Sequence, residues 1–315
     1  MRDERVERKN LRDGMRSSVH GEPHFRANET AAPEPRGSEP RMSAVPAVDF
    51  LPSNRAVTPA GASSQTPNTM NDGQILDFIR AGIKHGHIDL FLQPIVTLPQ
   101  RTLRFYECYS RIRGADGSMM MPAQYIELAR DHGLLDAIDN ILLLRCVQLV
   151  RKAQRHNHNL GFICNLSMQV LGERAFFNQF IDFMGKNRNL ATRLMFELAA
   201  EDVFTQWAEI AGELHRLARL GFRFSMDRVK RLDFDPALLA RRHFKFVKVD
   251  AATLLNGSRD GGRAVRLLKQ DLVRHGIDLI VEKVETQDQL VELLDLGVYF
   301  GQGYLFGEPR RSRAA

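Results

Sequence analysis

The feature that most constrains the fold is a regular change of hydrophobic period along the chain after residue 73. Short apolar runs of strand type alternate with longer segments whose apolar residues recur at helical spacing, such as 136–154 and 264–275. Strands joined by helices form parallel sheets, and eight strands in this order predict a closed α/β barrel. The predicted strands are 88–96, 105–112, 160–166, 194–198, 222–226, 244–249, 279–284 and 299–306.

The first two strands differ from the others, because only residues 97–104 separate them. That segment is too short for a helical crossover, so these two strands are expected to pair antiparallel. The alternative to a closed barrel is an open, doubly wound sheet. Such a sheet places a glycine-rich phosphate loop after its first strand, and the sequence has no such loop there.

The residues before the alternating region have a different composition. Residues 1–72 hold ten basic and ten acidic side chains, eight of the thirteen prolines, and only two aromatic residues, Phe25 and Phe50. This apolar surface is too small to offset the conformational entropy lost on ordering the segment. We therefore expect a disordered, proline-rich tail at 1–72 and one domain at 73–315, which carries the whole net charge of +6.

Composition also excludes several classes of protein. No stretch approaches the roughly 18–20 apolar residues of a spanning helix, so we expect no membrane span and a cytoplasmic location. Basic residues are interleaved with acidic ones, which argues against a nucleic-acid polymer as partner and favours a small anionic ligand. The odd, widely spaced cysteines Cys108, Cys146 and Cys164 are predicted to be reduced core residues. The basic ending 310–313 is expected to be a solvated tail.

Polar residues stand in or directly after most of the predicted strands, at positions where the apolar pattern predicts burial. Any one of them is most simply a satisfied core residue or a helix cap, but in a barrel the carboxyl ends of the strands converge on one mouth. Carboxylates gathered there need a cation, and carboxylate and amide oxygens suit Mg²⁺, Mn²⁺ or Ca²⁺. The residues are Glu107, Asn165, Glu197, Asp227, Lys248, Asp250, Glu282 and Gln302.

These residues lie in short motifs whose order resembles that of the EAL domain family. The resemblance spans nearly all of residues 75–309. It implies a modified TIM barrel, (β/α)8 with one antiparallel strand, that hydrolyses the bacterial second messenger cyclic di-GMP with two divalent metal ions. The motifs are Gln93–Val96, Glu107–Arg111, Pro122–Ala129, Asn165–Ser167, Phe196–Leu198, Val247–Asp250, Glu282–Thr286 and Gln302–Phe306.

The resemblance also implies a role for each motif residue. In an active member, Glu282 and Lys248 would hold the attacking water. The ligands implied for the first metal ion are Glu107, Asn165, Glu197 and Asp227. Contacts to the guanine or phosphate groups of the nucleotide are assigned to Gln93, Arg111, Arg228, Asp250, Glu285 and Gln302.

The chain departs from the family pattern at positions that affect metal binding. Cys108-Tyr109 replaces Ala-Leu after the signature glutamate, Arg228 replaces the second of two adjacent aspartates, and Lys283 replaces a glycine. At about 4 Å and an effective dielectric of about 20, a guanidinium repels a divalent ion by about 8 kcal/mol. We therefore expect no second ion, and at most one site for Mg²⁺ or Mn²⁺. Arg228 is expected to pair with a nucleotide phosphate instead.

A further departure affects the anchor of the loop that follows Asp227. The family glutamate three residues after Glu197 is Ala200 here. The neighbouring Glu201 would point to the opposite side of an extended chain, so it is not expected to replace that glutamate.

Three functions fit these residues. The first is a degenerate EAL domain that binds cyclic di-GMP with little or no hydrolysis and reports its level to an unknown protein partner. The second is a slow metal-dependent phosphodiesterase that releases pGpG, and the third is a protein-interaction module that binds no nucleotide. Residues 139–148 and 301–306 resemble degenerate family members of flagellar assembly, which suggests a role in motility. The phenylalanines at 176, 177, 180 and 183 share helical spacing and are expected to face the barrel or a second copy in a homodimer.

Overall fold

The computed structural model describes residues 70–155, 160–257 and 262–312. The predicted tail at 1–72 therefore lies outside the described residues except for its last three positions. Those positions lead directly into the domain, because Asn71 caps a helix that begins at Asp72. The Asn71 side chain accepts a hydrogen bond from the backbone N–H of Gln74, and the Gln74 side chain accepts one from the backbone N–H of Asn71. This reciprocal cap defines where the first helix starts.

The strands of the described residues form one sheet that closes on itself. They are β1 (Ile88–Thr97), β2 (Thr102–Arg113), β3 (Met119–Met120), β4 (Gly161–Asn165), β5 (Leu194–Ala199), β6 (Phe224–Val229), β7 (Phe244–Asp250), β8 (Asp278–Glu282), β9 (Phe300–Gln302) and β10 (Arg310–Arg311). The sheet order is β10-β1-β9-β8-β7-β6-β5-β4-β2-β3, and an additional pairing of β1 with β2 closes eight strands into a barrel. β1 is antiparallel to both β2 and β9, and the other barrel pairs are parallel. The predicted α/β barrel with one antiparallel strand is confirmed.

Helices surround this barrel on its outer face. They are α1 (Asp72–Lys84), α2 (Pro122–Asp131), α3 (Leu135–Arg155), α4 (Met168–Gly172), α5 (Arg174–Gly185), α6 (Ala200–Thr205), α7 (Trp207–Arg219), α8 (Pro236–Arg241), α9 (Ala251–Asn256), α10 (Arg263–Arg274) and α11 (Gln287–Asp295), with a short 3₁₀ helix at Arg188–Thr192. The buried residues of α3 recur with helical spacing and pack against the strands, as the periodicity predicts.

Two of the predicted strands are shorter than expected. The strand predicted at 299–306 ends at Gln302, because Gly303 adopts a φ of +152° that turns the chain towards Val284. The strand predicted at 279–284 ends at Glu282, where the next residue, Lys283, has a φ of +56°. The positive φ at these two positions ends the hydrogen-bonded pairing of β8 with β9. The barrel mouth lies above this point.

The barrel interior consists of two layers with different chemistry. The lower layer is apolar and contains Ile95, Ile163, Met195, Phe246, Ile280 and Phe300, with Phe105 packed against it. In seven of the eight barrel strands, a polar residue lies two positions from one of these apolar residues. It follows the apolar residue in the sequence, except in the antiparallel strand β1, where it precedes it. Residues two apart on a strand face the same side, so the polar residues form a second layer directly above the apolar one. The apolar layer closes the floor of the mouth.

The cysteines and phenylalanines fill the outer core. Cys108, Cys146 and Cys164 are free and buried, as predicted. Cys108 and Cys164 are direct partners in the pairing of β2 with β4. Phe177 and Phe180 are buried against the barrel, and their helical neighbours on α5 pack against the same core. The phenylalanine stripe therefore faces the barrel.

The basic ending corrects one expectation. Arg310 and Arg311 are not part of a solvated tail, because they form β10 on the edge of β1. The guanidinium of Arg311 lies 3.0 Å from Oδ2 of the buried Asp89, which also receives Arg113 at 2.9 Å. The ion pair of Arg311 with this buried carboxylate holds the segment in place, and the residue types of the segment alone do not reveal it. Among the helices of the described residues, none is long and apolar enough to span a bilayer.

Candidate functional site

Lys248 is the centre of the polar layer. It is fully buried on β7, and its Nζ lies 2.5 Å from Glu107 Oε2 and 3.1 Å from Glu197 Oε2. Two further carboxylates are within ion-pair distance, Glu282 at 3.7 Å and Asp227 at 3.9 Å. The four acidic residues come from β2, β5, β8 and β6, so one ammonium joins four strands that are distant in sequence.

Glu107 is held from a second side by amides. Gln302 Nε2 donates to Glu107 Oε2 at 2.7 Å and also lies 3.1 Å from Gln93 Oε1. The hydroxyl of Tyr109 donates to Gln93 Oε1 at 3.3 Å and accepts from Gln302 Nε2 at 3.3 Å. Glu107, Tyr109, Gln93 and Gln302 therefore form one hydrogen-bonded group beside Lys248.

Glu197 has partners for both of its oxygens. Ser225 Oγ donates to Glu197 Oε1 at 2.7 Å, while Lys248 takes Oε2. Asn165, the last residue of β4, is the direct partner of Glu197 in the pairing of β4 with β5. The predicted ligands Glu107, Asn165 and Glu197 are thus brought to the same level of the barrel.

Asp227 lies at an irregularity in β6. The register of β6 with β7 moves by one residue between Met226 and Val229, which is the signature of a β-bulge, and Arg228 within it has a φ of +56°. The bulge lets Asp227 face Lys248, and its Oδ1 is buried without a hydrogen-bond partner.

Arg228 is directed away from this group. Arg228 is exposed, and it lines a cavity of about 630 Å³ with Ala199, Phe204 and Phe234. On α6, burial raises the pKa of Asp202, and the charge of Arg228 partly opposes this rise. The predicted repulsion between Arg228 and a second ion is therefore not supported by its placement.

The charges of the polar layer depend on one another. Burial alone would lower the pKa of Lys248, but Glu107, Glu197 and Asp227 raise it well above its usual value. Burial alone would raise the pKa of Glu107, but Lys248 and the hydrogen bond from Gln302 lower it. Burial raises the pKa of Glu197 well above its usual value despite the attraction of Lys248. Lys248 and Glu107 therefore favour each other's charged forms, whereas burial favours the neutral form of Glu197.

A second cation, Lys283, lies at the edge of the mouth. Its Nζ is 2.6 Å from Asp250 Oδ2, while Asp250 Oδ1 accepts from the backbone N–H of Ala252 at the start of α9. The hydrogen bond to Asp250 raises the pKa of Lys283, and the nearby charges of Glu282 and Asp227 act in the same direction. Lys283 therefore keeps its positive charge beside the acidic group.

The other predicted ligand-binding residues lie at the rim or outside it. The guanidinium carbon of Arg111 is 4.0 Å from the centre of the Phe91 ring, and Arg111 faces the same side of β2 as Glu107. Glu285 is exposed in the segment between β8 and α11. Glu201 also differs from expectation, because α6 begins at Ala200 and Glu201 lies in its exposed first turn instead of on an extended chain.

Whether a metal ion fits the polar layer depends on the class of its donor atoms and on how many of them are free. The donors are of the right class, since hard cations bind carboxylate and amide oxygens. Among the residues that the structure describes, however, no group of three or more His, Cys, Asp or Glu side chains is arranged to hold a metal ion. The reason is Lys248, which already takes one oxygen of Glu107 and one of Glu197. The residues as placed do not fit an ion.

The sequence pattern did not assign a role to Tyr109 or Ser225, although both touch the polar layer. Each lies two residues from a predicted ligand on the same strand, Tyr109 from Glu107 and Ser225 from Asp227. Residues two apart share a strand face, and that rule alone would have placed both hydroxyls at the mouth.

Known proteins share both the sequence pattern and the barrel. The family model described as "EAL domain" matches residues 77–309. The chain is 27% identical over 240 residues to "Probable cyclic di-GMP phosphodiesterase PdeI" of Escherichia coli K12, covering 73% of this chain and 30% of PdeI. It is 24% identical over 243 residues to "Cyclic di-GMP phosphodiesterase RocR" of Pseudomonas aeruginosa PAO1, covering 75% of this chain and 60% of RocR. The chain spans about a third of the length of the first curated relatives that it matches.

Solved structures agree on the fold. The FimX EAL domain of Xanthomonas citri in complex with cyclic di-GMP superposes with a TM-score of 0.67 at 20% identity, covering 77% of this chain and 95% of that domain. A complex of the phosphodiesterase PaMucR with cyclic di-GMP gives a TM-score of 0.65 at 20% identity, covering 75% and 97%. At this identity the likeness concerns the fold alone. Because the family match covers most of the chain and agrees with the barrel and its polar mouth, this protein belongs to the EAL domain family.

Proposed function

We propose that this EAL domain is a receptor that binds cyclic di-GMP at the barrel mouth and hydrolyses it little or not at all. The chain is related to cyclic di-GMP phosphodiesterases, and EAL structures with this fold have been solved with cyclic di-GMP bound.

The observation that carries the proposal is the ammonium of Lys283 at the mouth. Lys283 occupies a position where the family pattern has glycine, and it keeps a left-handed backbone that glycine favours. Its Nζ is paired with Asp250 at 2.6 Å, and the Lys283 side chain is 65% exposed. A fixed ammonium there can pair with a phosphate oxygen of the nucleotide, and it repels a divalent ion that would approach the same carboxylates.

Arg111 and Gln93 complete the proposed contacts. Arg111 is positioned over the Phe91 ring at the rim, where its guanidinium can pair with a phosphate or stack on a base. Gln93 is nearly buried, with its Nε2 donating to the carbonyl of Gly307 at 3.2 Å. Asp250, Glu285 and Gln302 remain predicted nucleotide contacts, and Arg228 would reach the ligand only from outside the polar layer.

One observation favours a second function, a slow phosphodiesterase that releases pGpG. Burial raises the pKa of Glu282 to about 7, despite the opposing attraction of Lys248. A carboxyl group that titrates near neutral pH can accept a proton from a water molecule, which is the role implied for Glu282. A single Mg²⁺ or Mn²⁺ at Glu107, Asn165, Glu197 and Asp227 stays a prediction in this alternative.

The biological context is part of the same proposal. A receptor that does not consume its ligand acts through a partner, which we infer to be a protein. The resemblance of residues 139–148 and 301–306 to degenerate EAL domains of flagellar assembly supports a role in motility. The location that we propose is the cytoplasm.

Calorimetric titration of the full chain with cyclic di-GMP, once in EDTA and once with Mn²⁺, followed by chromatography of the nucleotide from each sample, tests the function. The receptor predicts binding in EDTA and recovery of intact cyclic di-GMP from both samples, including the one with Mn²⁺. Release of pGpG that Glu107→Ala abolishes would favour the enzyme instead. Absence of binding both in EDTA and with Mn²⁺ would leave the protein-interaction module.

Two matched variants test Lys283 itself. Lys283→Met should weaken nucleotide binding in EDTA about tenfold, the effect of losing one charge-assisted hydrogen bond. Lys245→Met also removes one lysine charge, but at the amino end of β7, where Lys245 donates to the carbonyl of Gly276, and it should leave the affinity unchanged. Equal effects of the two substitutions would show that Lys283 acts only through the overall charge.

A further inference from the structure

Tyr109 is the one member of the Glu107 hydrogen-bonded group that has no counterpart in the family pattern, where leucine occupies its position. Its ring lies on β2 two residues beyond Glu107, so both side chains face the barrel interior. Its hydroxyl donates to Gln93 Oε1 and accepts from Gln302 Nε2, both at 3.3 Å. Leucine would make neither hydrogen bond.

The Tyr109 hydroxyl influences Glu107 through Gln302. Gln302 Nε2 donates to Glu107 Oε2 at 2.7 Å, the same oxygen that Lys248 Nζ approaches at 2.5 Å. Glu107 is thus held on Lys248 from two sides. The Gln302 amide nitrogen has two N–H groups. One donates to Glu107 Oε2, and the other is shared between Gln93 Oε1 and Tyr109 Oη, so these two acceptors help to keep the nitrogen on the side of Glu107.

A divalent ion at the mouth would require Glu107 to turn an oxygen away from Lys248. Glu107 is almost completely buried, so this rotation must break the hydrogen bonds that Gln302 and Lys248 make to it before any new ligand bond forms. The Tyr109 hydroxyl supports the starting arrangement through Gln302, and its hydrogen bonding to Glu107 also favours the ionised carboxylate in that arrangement. Its effect therefore falls on the balance between the two arrangements.

We propose that Tyr109 is a positioning residue that keeps Glu107 on Lys248 and thereby lowers the affinity of the mouth for a divalent ion. This inference deepens the proposed function, because it accounts for a mouth organised by an ammonium and amides in place of an ion. It concerns only residues of this chain, and it can be measured with the metal alone.

The test is Mn²⁺ binding by the full chain without nucleotide, followed from the electron paramagnetic resonance signal of free Mn²⁺. Tyr109→Phe keeps the ring and removes only the hydroxyl. We expect it to bind Mn²⁺ about fivefold more tightly than the unmodified protein, the effect of removing one hydrogen bond from the competing arrangement. Tyr109→Leu, the family residue, should bind at least as tightly as Tyr109→Phe. Tyr299→Phe removes a hydroxyl from a tyrosine that is 57% exposed and should change nothing.

Two results would overturn the inference. Unchanged or weaker Mn²⁺ binding by Tyr109→Phe would show that the hydroxyl does not oppose the ion. A change confined to Tyr109→Leu would assign the effect to the packing of the ring. If the leucine variant does not fold, the phenylalanine variant alone decides. Failure of the unmodified protein to bind cyclic di-GMP would contradict the proposed function and leave this Mn²⁺ comparison intact.

Discussion

Substitution of Glu282 by glutamine should stabilise the protein, and the gain should depend on pH. The Glu282 side chain is 14% exposed, and burial raises the pKa of its carboxyl group to about 7 from a usual value of 4.5. Below pH 4.5 the group is protonated in both the folded and the unfolded state, so it contributes no pH dependence. Between the two pKa values the folded state binds more protons than the unfolded state, so stability falls as the pH rises.

The size of the effect follows from the shift. A pKa raised from 4.5 to about 7, at about 1.4 kcal/mol for each pH unit, corresponds to about 3–4 kcal/mol lost above pH 7. Glutamine has no proton to lose, so Glu282→Gln should match the unmodified protein near pH 4.5 and exceed its stability by up to about 3–4 kcal/mol at pH 8.

Urea unfolding at several pH values, followed by circular dichroism, measures this difference. Glu285→Gln is the matched control, because Glu285 is exposed three residues further along the chain, and it should shift the stability by less than about 0.5 kcal/mol. Burial also raises the pKa of Asp139, to about 6, but that group is present in all three proteins and cancels in the comparison. A stability difference between Glu282→Gln and the unmodified protein that is the same at pH 5 and pH 8 would refute the assigned pKa.

Two further predictions concern the fold around the mouth. Gly303→Ala should cost about 3 kcal/mol or more in urea unfolding, because a Cβ there would lie 2.2 Å from the carbonyl oxygen of Val284. Gly117→Ala, with a φ of +86° and open space around it, should cost only about 1 kcal/mol, and similar losses for the two variants would exclude the steric clash as the cause. Cys108, Cys146 and Cys164 should react with a thiol reagent only as fast as the protein unfolds, because all three are buried and burial raises the pKa of the Cys146 thiol. Labelling of any of them within minutes in the native state would contradict this.

Much of the barrel could be read from the sequence for a simple physical reason. Interior residues of a strand recur at every second position, so an apolar residue followed two positions later by a polar one indicates both a strand and its carboxyl end. Phe246 with Lys248 and Ile280 with Glu282 are examples. Because the carboxyl ends of these strands converge, the pattern also predicted that seven site residues lie in one layer.

The remaining features depend on contacts between distant segments. The outward placement of Arg228 follows from a bulge in the register of β6 with β7, which no local pattern of residue types reveals. The strand at Arg310–Arg311 exists because Asp89, more than 200 positions earlier, is buried and receives Arg311. The sequence showed that Lys248 faces inward, but only the closed barrel shows that its partners are Glu107 and Glu197.

The central position of Lys248 has a consequence for how the chain folds. Lys248 and Glu107 are 141 positions apart, and the other carboxylates around the ammonium come from three further strands. A partly closed barrel would leave these charges without their partners, and loss of one partner from a buried ion pair costs about 3–5 kcal/mol. Intermediates with only half of the barrel in place are therefore disfavoured. The same ammonium that organises the mouth makes closure of the barrel cooperative.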